Sequence, residues 1–292
     1  MNNFEKISEK YQVFLVDLYG VIQFGSGINP EALAVLASLK EQGKKVVIMS
    51  NATYLSATAE ERYAAKGLIK GKHYDAFITA GQFASEEIRK NSLPVKGEKF
   101  CVLGTANFKS NNPVPSVLNG TKYRLSSIFE ADFVYCGVPQ VMGIDRRDIE
   151  DFIPYLSMCV KYKLPMFSCN ADKIANEGGM LVIRQGTICD LYEALGGKVI
   201  MYAKPDPRVY QRAIGELGGH YEPKDILMIG DSLYSDILGA NRFGCDSCLT
   251  VKGGVTNYMM LQKGLEVNEE NIKKYIQDEK SGIPDYIVSS IF

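Results

Sequence analysis

Val13-Phe-Leu-Val-Asp17-Leu-Tyr-Gly-Val21 begins as a short, unbroken apolar run and ends that run on a carboxylate. A run of this kind reads as a strand buried on both faces, as in a parallel sheet. A charged residue at the point where such a strand emerges does nothing for packing, so Asp17 is a candidate for chemistry. Two other runs end the same way. Val46-Val-Ile-Met49 leads into Ser50-Asn51, and Ile226-Leu-Met-Ile229 leads into Gly230-Asp231. In an open parallel sheet, ligands bind outside the carboxyl ends of the strands where strand order reverses, so residues far apart in sequence can converge there.

Working outward, helix-like and strand-like segments alternate on either side of these runs. Pro30 stands where a first-turn proline is tolerated, and Ala32, Leu33, Val35, Leu36 and Leu39 follow at helical spacing until Gly43. The spacing predicts a helix from about 56 to 66, a strand at 76–79 and a helix from about 82 to 90. After residue 200 it predicts a helix over 205–217 closed by Gly218-Gly219, a helix over 235–242 ended by Gly244, and a strand at 247–251. This alternation is that of an α/β fold with a Rossmann-like, doubly wound parallel sheet. Between the two blocks, Phe100-Cys-Val-Leu103, Phe133-Val-Tyr-Cys136, Pro165-Met-Phe-Ser168 and Met180-Leu-Val-Ile183 are apolar runs of their own. The expectation is a core formed by 1–83 and 197–292, interrupted by an inserted α/β domain over 84–196.

The composition narrows the partners. The 292 residues carry 33 Lys plus Arg against 34 Asp plus Glu, a net charge of −1, so no field strong enough to recruit nucleic acid follows. No apolar run approaches the roughly 20 residues needed to span a bilayer, and the polar first ten residues do not resemble a signal peptide. A cytoplasmic protein with no membrane partner is expected. The 7 cysteines lie mostly in apolar stretches and read as buried, reduced thiols, Cys245-x-x-Cys248 included. His73 and His220 lie in polar, glycine-flanked stretches and read as surface residues. Gly25-Ser-Gly27 lacks the strand-to-helix context of a dinucleotide fingerprint and reads as a flap.

The polar residues at the strand ends suggest a division of labour. Phosphate dianions repel carboxylates, so a carboxylate nucleophile needs a hard dication, and Mg2+ takes one or two carboxylates plus phosphate oxygens. Asp17 and Asp231 suit that role, with Asp236 five residues beyond Asp231 at the next helix start. Ser50 and Lys204 would bind phosphoryl oxygens that gain charge in transfer. Asn51 either orients that loop or caps the next helix. Asp172 and Asp206 read as turn residues.

Asp17-Leu-Tyr-Gly-Val21, Ser50-Asn51, Lys204-Pro205 and Gly230-Asp231-x-x-x-x-Asp236, in this order, resemble the four motifs of the haloacid dehalogenase-like (HAD) phosphohydrolases. The insert between the second and third motifs is similar to the α/β (C2-type) cap of subclass IIA, with the N-acetylglucosamine-phosphate phosphatase-like and pyridoxal-phosphate phosphatase-like enzymes. Cys169-Asn-Ala-Asp172 and Ile283-Pro-Asp-Tyr-Ile-Val288 extend the resemblance to nearly the whole chain. It implies a Mg2+-dependent phosphatase acting on a small phosphorylated metabolite such as a sugar phosphate, nucleotide or cofactor phosphate. Asp17 would attack phosphorus, water would hydrolyse the aspartyl-phosphate, and Asp17, Asp231, Asp236 and the Tyr19 carbonyl would hold the metal. The cap would exclude water and read the leaving group. A homodimer is left open.

One position departs from the family pattern. The general acid/base is an aspartate two residues after the nucleophile, and here that residue is Tyr19. An unperturbed phenol, with a pKa of about 10, can give a proton to a leaving group but is a poor base toward water. Three readings therefore stand side by side: a slow or specialised phosphatase, a phosphotransferase, and a protein that binds phosphometabolites without turnover.

Overall fold

The structure is a computed structural model that describes every residue except Ser26, Phe108, Lys109, Gly178 and Gly179. The chain divides into two compact units, one of residues 1–50, 56–78 and 204–292 and the other of 51–55 and 79–203.

The first unit is built on a six-stranded sheet. Its strands in chain order are β1 (Val13–Asp17), β2 (Lys45–Ser50), β3 (Ala76–Thr79), β4 (Ile226–Gly230), β5 (Asp246–Thr250) and β6 (Tyr286–Val288), and they lie in the order β6-β5-β4-β1-β2-β3. β1 pairs in parallel with both β2 and β4, and β5 extends the parallel run from β4 to β6. The chain steps outward on one side from β1 to β3 and on the other from β4 to β6. Strand order therefore reverses between β1 and β4, and Asp17 and Asp231 stand at the carboxyl ends of those two strands.

β1 and β4 are buried along their whole length, as continuous apolar runs require. The helix Pro30–Glu41 starts as the sequence predicts: Asn29 Oδ1 accepts from the backbone N–H of Glu31 and Ala32, Pro30 occupies the first turn, and Ala32, Leu36 and Leu39 are buried. Two later helix starts are displaced. The helix expected from Pro205 begins at Pro207, because Asp206 caps it by accepting from Arg208 N–H. The helix expected from Ser235 is preceded by a π turn over Leu233–Ile237, capped by the Ser232 side chain, and then runs as Leu238–Phe243 to a left-handed Gly244. The sequence carries no signal for the wider turn, since its register is set by the hydrogen bonds described below. Of Gly25-Ser-Gly27, Ser26 lies outside the described residues, and Gly27–Ile28 pairs antiparallel with Gln23–Phe24.

The second unit has its own parallel sheet, in the order Val199–Met201, Met166–Ser168, Phe133–Cys136, Lys99–Leu103, Arg124–Leu125. Helices Ile153–Lys161 and Gln185–Ala194 contribute Leu156, Cys159, Ile188, Cys189 and Tyr192 to its core. Met180–Ile183 joins Ile174–Glu177 in a separate antiparallel pair rather than this sheet. By compactness the unit comprises 51–55 and 79–203, with helix Ala80–Asn91 and strand Val199–Met201 included.

All seven cysteines are buried thiols. His73 corrects the sequence reading. It is only 4% exposed, and its Nδ1 accepts from the Ile69 N–H. A polar neighbourhood in sequence concealed a local hydrogen bond that a buried imidazole satisfies. His220 is exposed as expected. No helix among the described residues is long and apolar enough to cross a membrane.

Candidate active site

The sheet of the first unit brings Asp17 beside Asp231 and Asp236, more than two hundred residues further along the chain. One oxygen each from Asp17, Asp231 and Asp236 lies within 4.8 Å of the others, and all three residues are buried. Lys204 is 2% exposed, and its ammonium donates to Asp17 Oδ1 at 2.5 Å, to Asp236 Oδ1 at 2.7 Å and to the Met49 carbonyl at 3.2 Å. Ionised, these four groups leave two negative charges in excess. Buried charge without compensation is costly, and a divalent cation is the complement that hard oxygen donors at this separation fit.

The backbone makes room for this crowding. Gly20 follows β1 with φ +79°, a conformation that favours glycine. A Cβ there would lie 2.0 Å from Asp231 Oδ2, so the turn after Asp17 reaches Asp231 only because it lacks a side chain. Gly230 does the same at the end of β4, where a Cβ would meet Asp236 Cβ at 2.2 Å. Asp236 sits in the π turn, and its Oδ2 accepts from the Ser232 N–H at 3.1 Å. The buried Tyr210 phenol donates to the carbonyls of Asp236 at 2.9 Å and Ser235 at 3.2 Å. Burial, followed by the charge of Asp236, pushes the Tyr210 phenol well above its ordinary pKa and keeps it a donor.

Ser50 ends β2 and is buried; its preceding residue Met49 is in register with Asp17. Tyr19 lies in the turn after β1 and is 38% exposed. Asn51 belongs to the second unit, where its Nδ2 donates to Asp172 Oδ1 at 2.9 Å. Asp172 is thereby a partner of Asn51, and Asp206 is a helix cap. Asp231 also serves a helix start: its Oδ2 accepts at 2.6 Å from Val255 N–H, at the start of the helix Val255–Gln262.

Sequence reasoning missed that helix start. Thr256 Oγ1 donates to the Asp231 carbonyl at 2.6 Å, and Thr250 Oγ1 reaches the carbonyls of Gly230 at 3.3 Å and Gly20 at 3.4 Å. The signal was Gly253-Gly-Val-Thr256 just after β5, a glycine pair at a strand end ahead of a helix.

The switch point of this parallel α/β sheet thus carries three buried carboxylates and a buried lysine. Two family models match the chain: haloacid dehalogenase-like hydrolase over residues 14–112, and HAD-hydrolase-like over residues 201–278. Phosphoglycolate phosphatase 2 of Arabidopsis thaliana is 23% identical over 95% of this chain and 95% of its own length. A 4-nitrophenylphosphatase of Schizosaccharomyces pombe is 23% identical over 99% of this chain and 94% of its own. Among solved structures, a possible sugar phosphatase of the HAD superfamily from Cytophaga hutchinsonii superposes with a TM-score of 0.74 at 23% identity, covering 100% of this chain and 98% of that one. The chain belongs to the haloacid dehalogenase-like hydrolases, with an α/β unit inserted between the second and third motifs.

Proposed function

We propose that this chain is a Mg2+-dependent phosphatase that hydrolyses a small phosphate monoester through an aspartyl-phosphate on Asp17, with the first unit as its catalytic core and the inserted α/β unit as its cap. The observation that carries the reading is the cluster of Asp17, Asp231 and Asp236 around the Lys204 ammonium. Asp17, Asp231, Asp236 and the Tyr19 carbonyl would hold the metal, which when bound supplies the positive charge that lets a carboxylate meet a phosphate.

The chain's own residues do the remaining work. Asp17 stands at the end of a rigid, buried strand, so its attacking oxygen is held rather than searched for. Lys204 holds that carboxylate by a 2.5 Å hydrogen bond and carries charge toward phosphoryl oxygens as they become more negative. Ser50, at the end of the neighbouring strand, is the hydroxyl donor to the same oxygens. Attack forms the Asp17–phosphorus bond and breaks the bond to the leaving-group oxygen, which takes a proton from the Tyr19 phenol. Solvent returns the proton to Tyr19, and water then cleaves the acyl phosphate, releasing inorganic phosphate and restoring the carboxylate.

Tyr19 favours a second reading beside the first. A phenol that protonates the leaving group but activates water poorly lets the aspartyl-phosphate persist, and an added acceptor alcohol then competes with water, which is phosphotransfer. Turnover of p-nitrophenyl phosphate with and without Mg2+ tests both. The phosphatase reading expects Mg2+-dependent turnover that Asp17→Asn abolishes. Tyr19→Asp is expected to raise the steady-state rate by about 10²-fold or more, the scale of an acid/base group. Phosphate binding with no turnover in either protein overturns the catalytic reading, and release of nitrophenol that requires an acceptor alcohol selects the transferase.

A further inference from the structure

Asp231 is gripped from one side by the first turn of the helix Val255–Gln262. Its side chain accepts at Oδ2 from Val255 N–H at 2.6 Å, and its main-chain carbonyl accepts from Thr256 Oγ1 at 2.6 Å and Thr256 N–H at 3.2 Å. Thr256 is 2% exposed and donates its hydroxyl inside the first unit. The approach is close by construction, since a Cβ on Gly254 would lie 2.5 Å from Asp231 Cβ. Oδ2 is therefore engaged with the helix start, and the rotation of the carboxylate that sets where Oδ1 points follows from the placement of residues 254–256.

We propose that Thr256 is a positioning residue for the divalent cation, acting through Asp231. Its hydroxyl ties the Asp231 carbonyl to the helix start while Val255 N–H ties the carboxylate, so backbone and side chain are fixed by one turn of one helix. Without the hydroxyl, the carbonyl retains the longer bond to Thr256 N–H, and residue 231 gains freedom to rotate away from Asp17 and Asp236. Groups that orient a metal-binding carboxylate contribute to affinity even though they never touch the ion. The inference rests on the reading that Asp17, Asp231 and Asp236 hold a dication.

The test compares Thr256→Val, which keeps the shape and loses the hydroxyl, with Thr256→Ser, which keeps the hydroxyl. Mn2+ binding to the intact chain is followed by electron paramagnetic resonance, alongside melting by circular dichroism and p-nitrophenyl phosphate turnover against Mg2+ concentration. The Mn2+ Kd is expected to weaken by roughly 10-fold in Thr256→Val and to return to the wild-type value in Thr256→Ser. The Mg2+ concentration for half-maximal turnover should follow the Mn2+ Kd, with KM for p-nitrophenyl phosphate at saturating metal unchanged. Equal Mn2+ affinity in wild type and Thr256→Val overturns the inference, as does equal weakening in the Val and Ser variants. Wild-type protein that binds no Mn2+, or binds it equally after Asp231→Asn, overturns instead the metal-site reading beneath it.

Discussion

Replacing Lys204 with methionine separates the electrostatic role of this residue from its packing. Methionine fills a similar apolar volume but leaves Asp17 and Asp236 without the ammonium that bonds both, at 2.5 and 2.7 Å, in a site where Lys204 is 2% exposed. Removing one partner of a buried ion pair costs about 3–5 kcal/mol, because the remaining charge stays buried and unpaired. Taking about 3 kcal/mol and roughly 2–4 °C per kcal/mol for a domain of this size, the melting temperature in EDTA should fall by roughly 6–12 °C. Mg2+ should then raise the melting temperature of Lys204→Met more than that of wild type, since the dication neutralises carboxylates that the wild-type lysine already partly serves. Turnover at saturating Mg2+ should remain about 10²- to 10³-fold below wild type, the scale of one lost charge-stabilising donor. Circular dichroism melts with EDTA and with Mg2+, together with p-nitrophenyl phosphate assays, read all three quantities. A variant that melts with wild type in EDTA would falsify the claim that Lys204 compensates the carboxylates.

The other predictions probe separate parts of the molecule. Gly20→Ala places a methyl 2.0 Å from Asp231 Oδ2 at φ +79°, so it should lose about 1–2 kcal/mol from backbone strain alone and raise the Mg2+ requirement; an unchanged metal titration counts against the close approach. His73 has its pKa lowered by burial and then by Lys72, so the folded chain binds a proton less readily than the unfolded chain. That cost is absent above the unfolded pKa of about 6.5 and grows as pH falls below it. His73→Gln should therefore lose less melting temperature than wild type between neutral pH and about pH 5, and parallel curves refute the assignment. The seven cysteines are buried, and desolvation pushes Cys159, Cys169, Cys245 and Cys248 up to about 12, so Ellman's reagent should label almost no thiol in the native chain and all seven in guanidinium. Rapid native labelling of any one of them contradicts its burial.

The strands were legible because burial on both faces of a parallel sheet demands unbroken apolar runs. β1 spans Val13–Asp17 and β3 spans Ala76–Thr79, as periodicity and composition indicate. Helix starts were less legible, because Asp206 and the Ser232 cap decide them by local hydrogen bonds that competing residues nearby could equally have made. Lys204 reads from sequence as a ligand of phosphoryl oxygens, while its burial against two carboxylates follows only from the fold that brings Asp17 and Asp236 to it. Asn51 looked like part of the Ser50 loop, yet its amide is bonded to Asp172, a residue more than a hundred positions away.

By itself the sequence determined which residues could do chemistry: the order of its motifs, the apolar runs that carry Asp17, Ser50 and Asp231 to strand ends, and the tyrosine at position 19 that breaks the family pattern. Tertiary structure alone decided the distances. Strand order reverses between β1 and β4, so two carboxylates far apart in the chain come within 4.8 Å of each other. Gly20, Gly230 and the turn at 254–256 matter for the same reason, since a glycine's lack of a side chain has meaning only once the atom it would strike has been brought beside it.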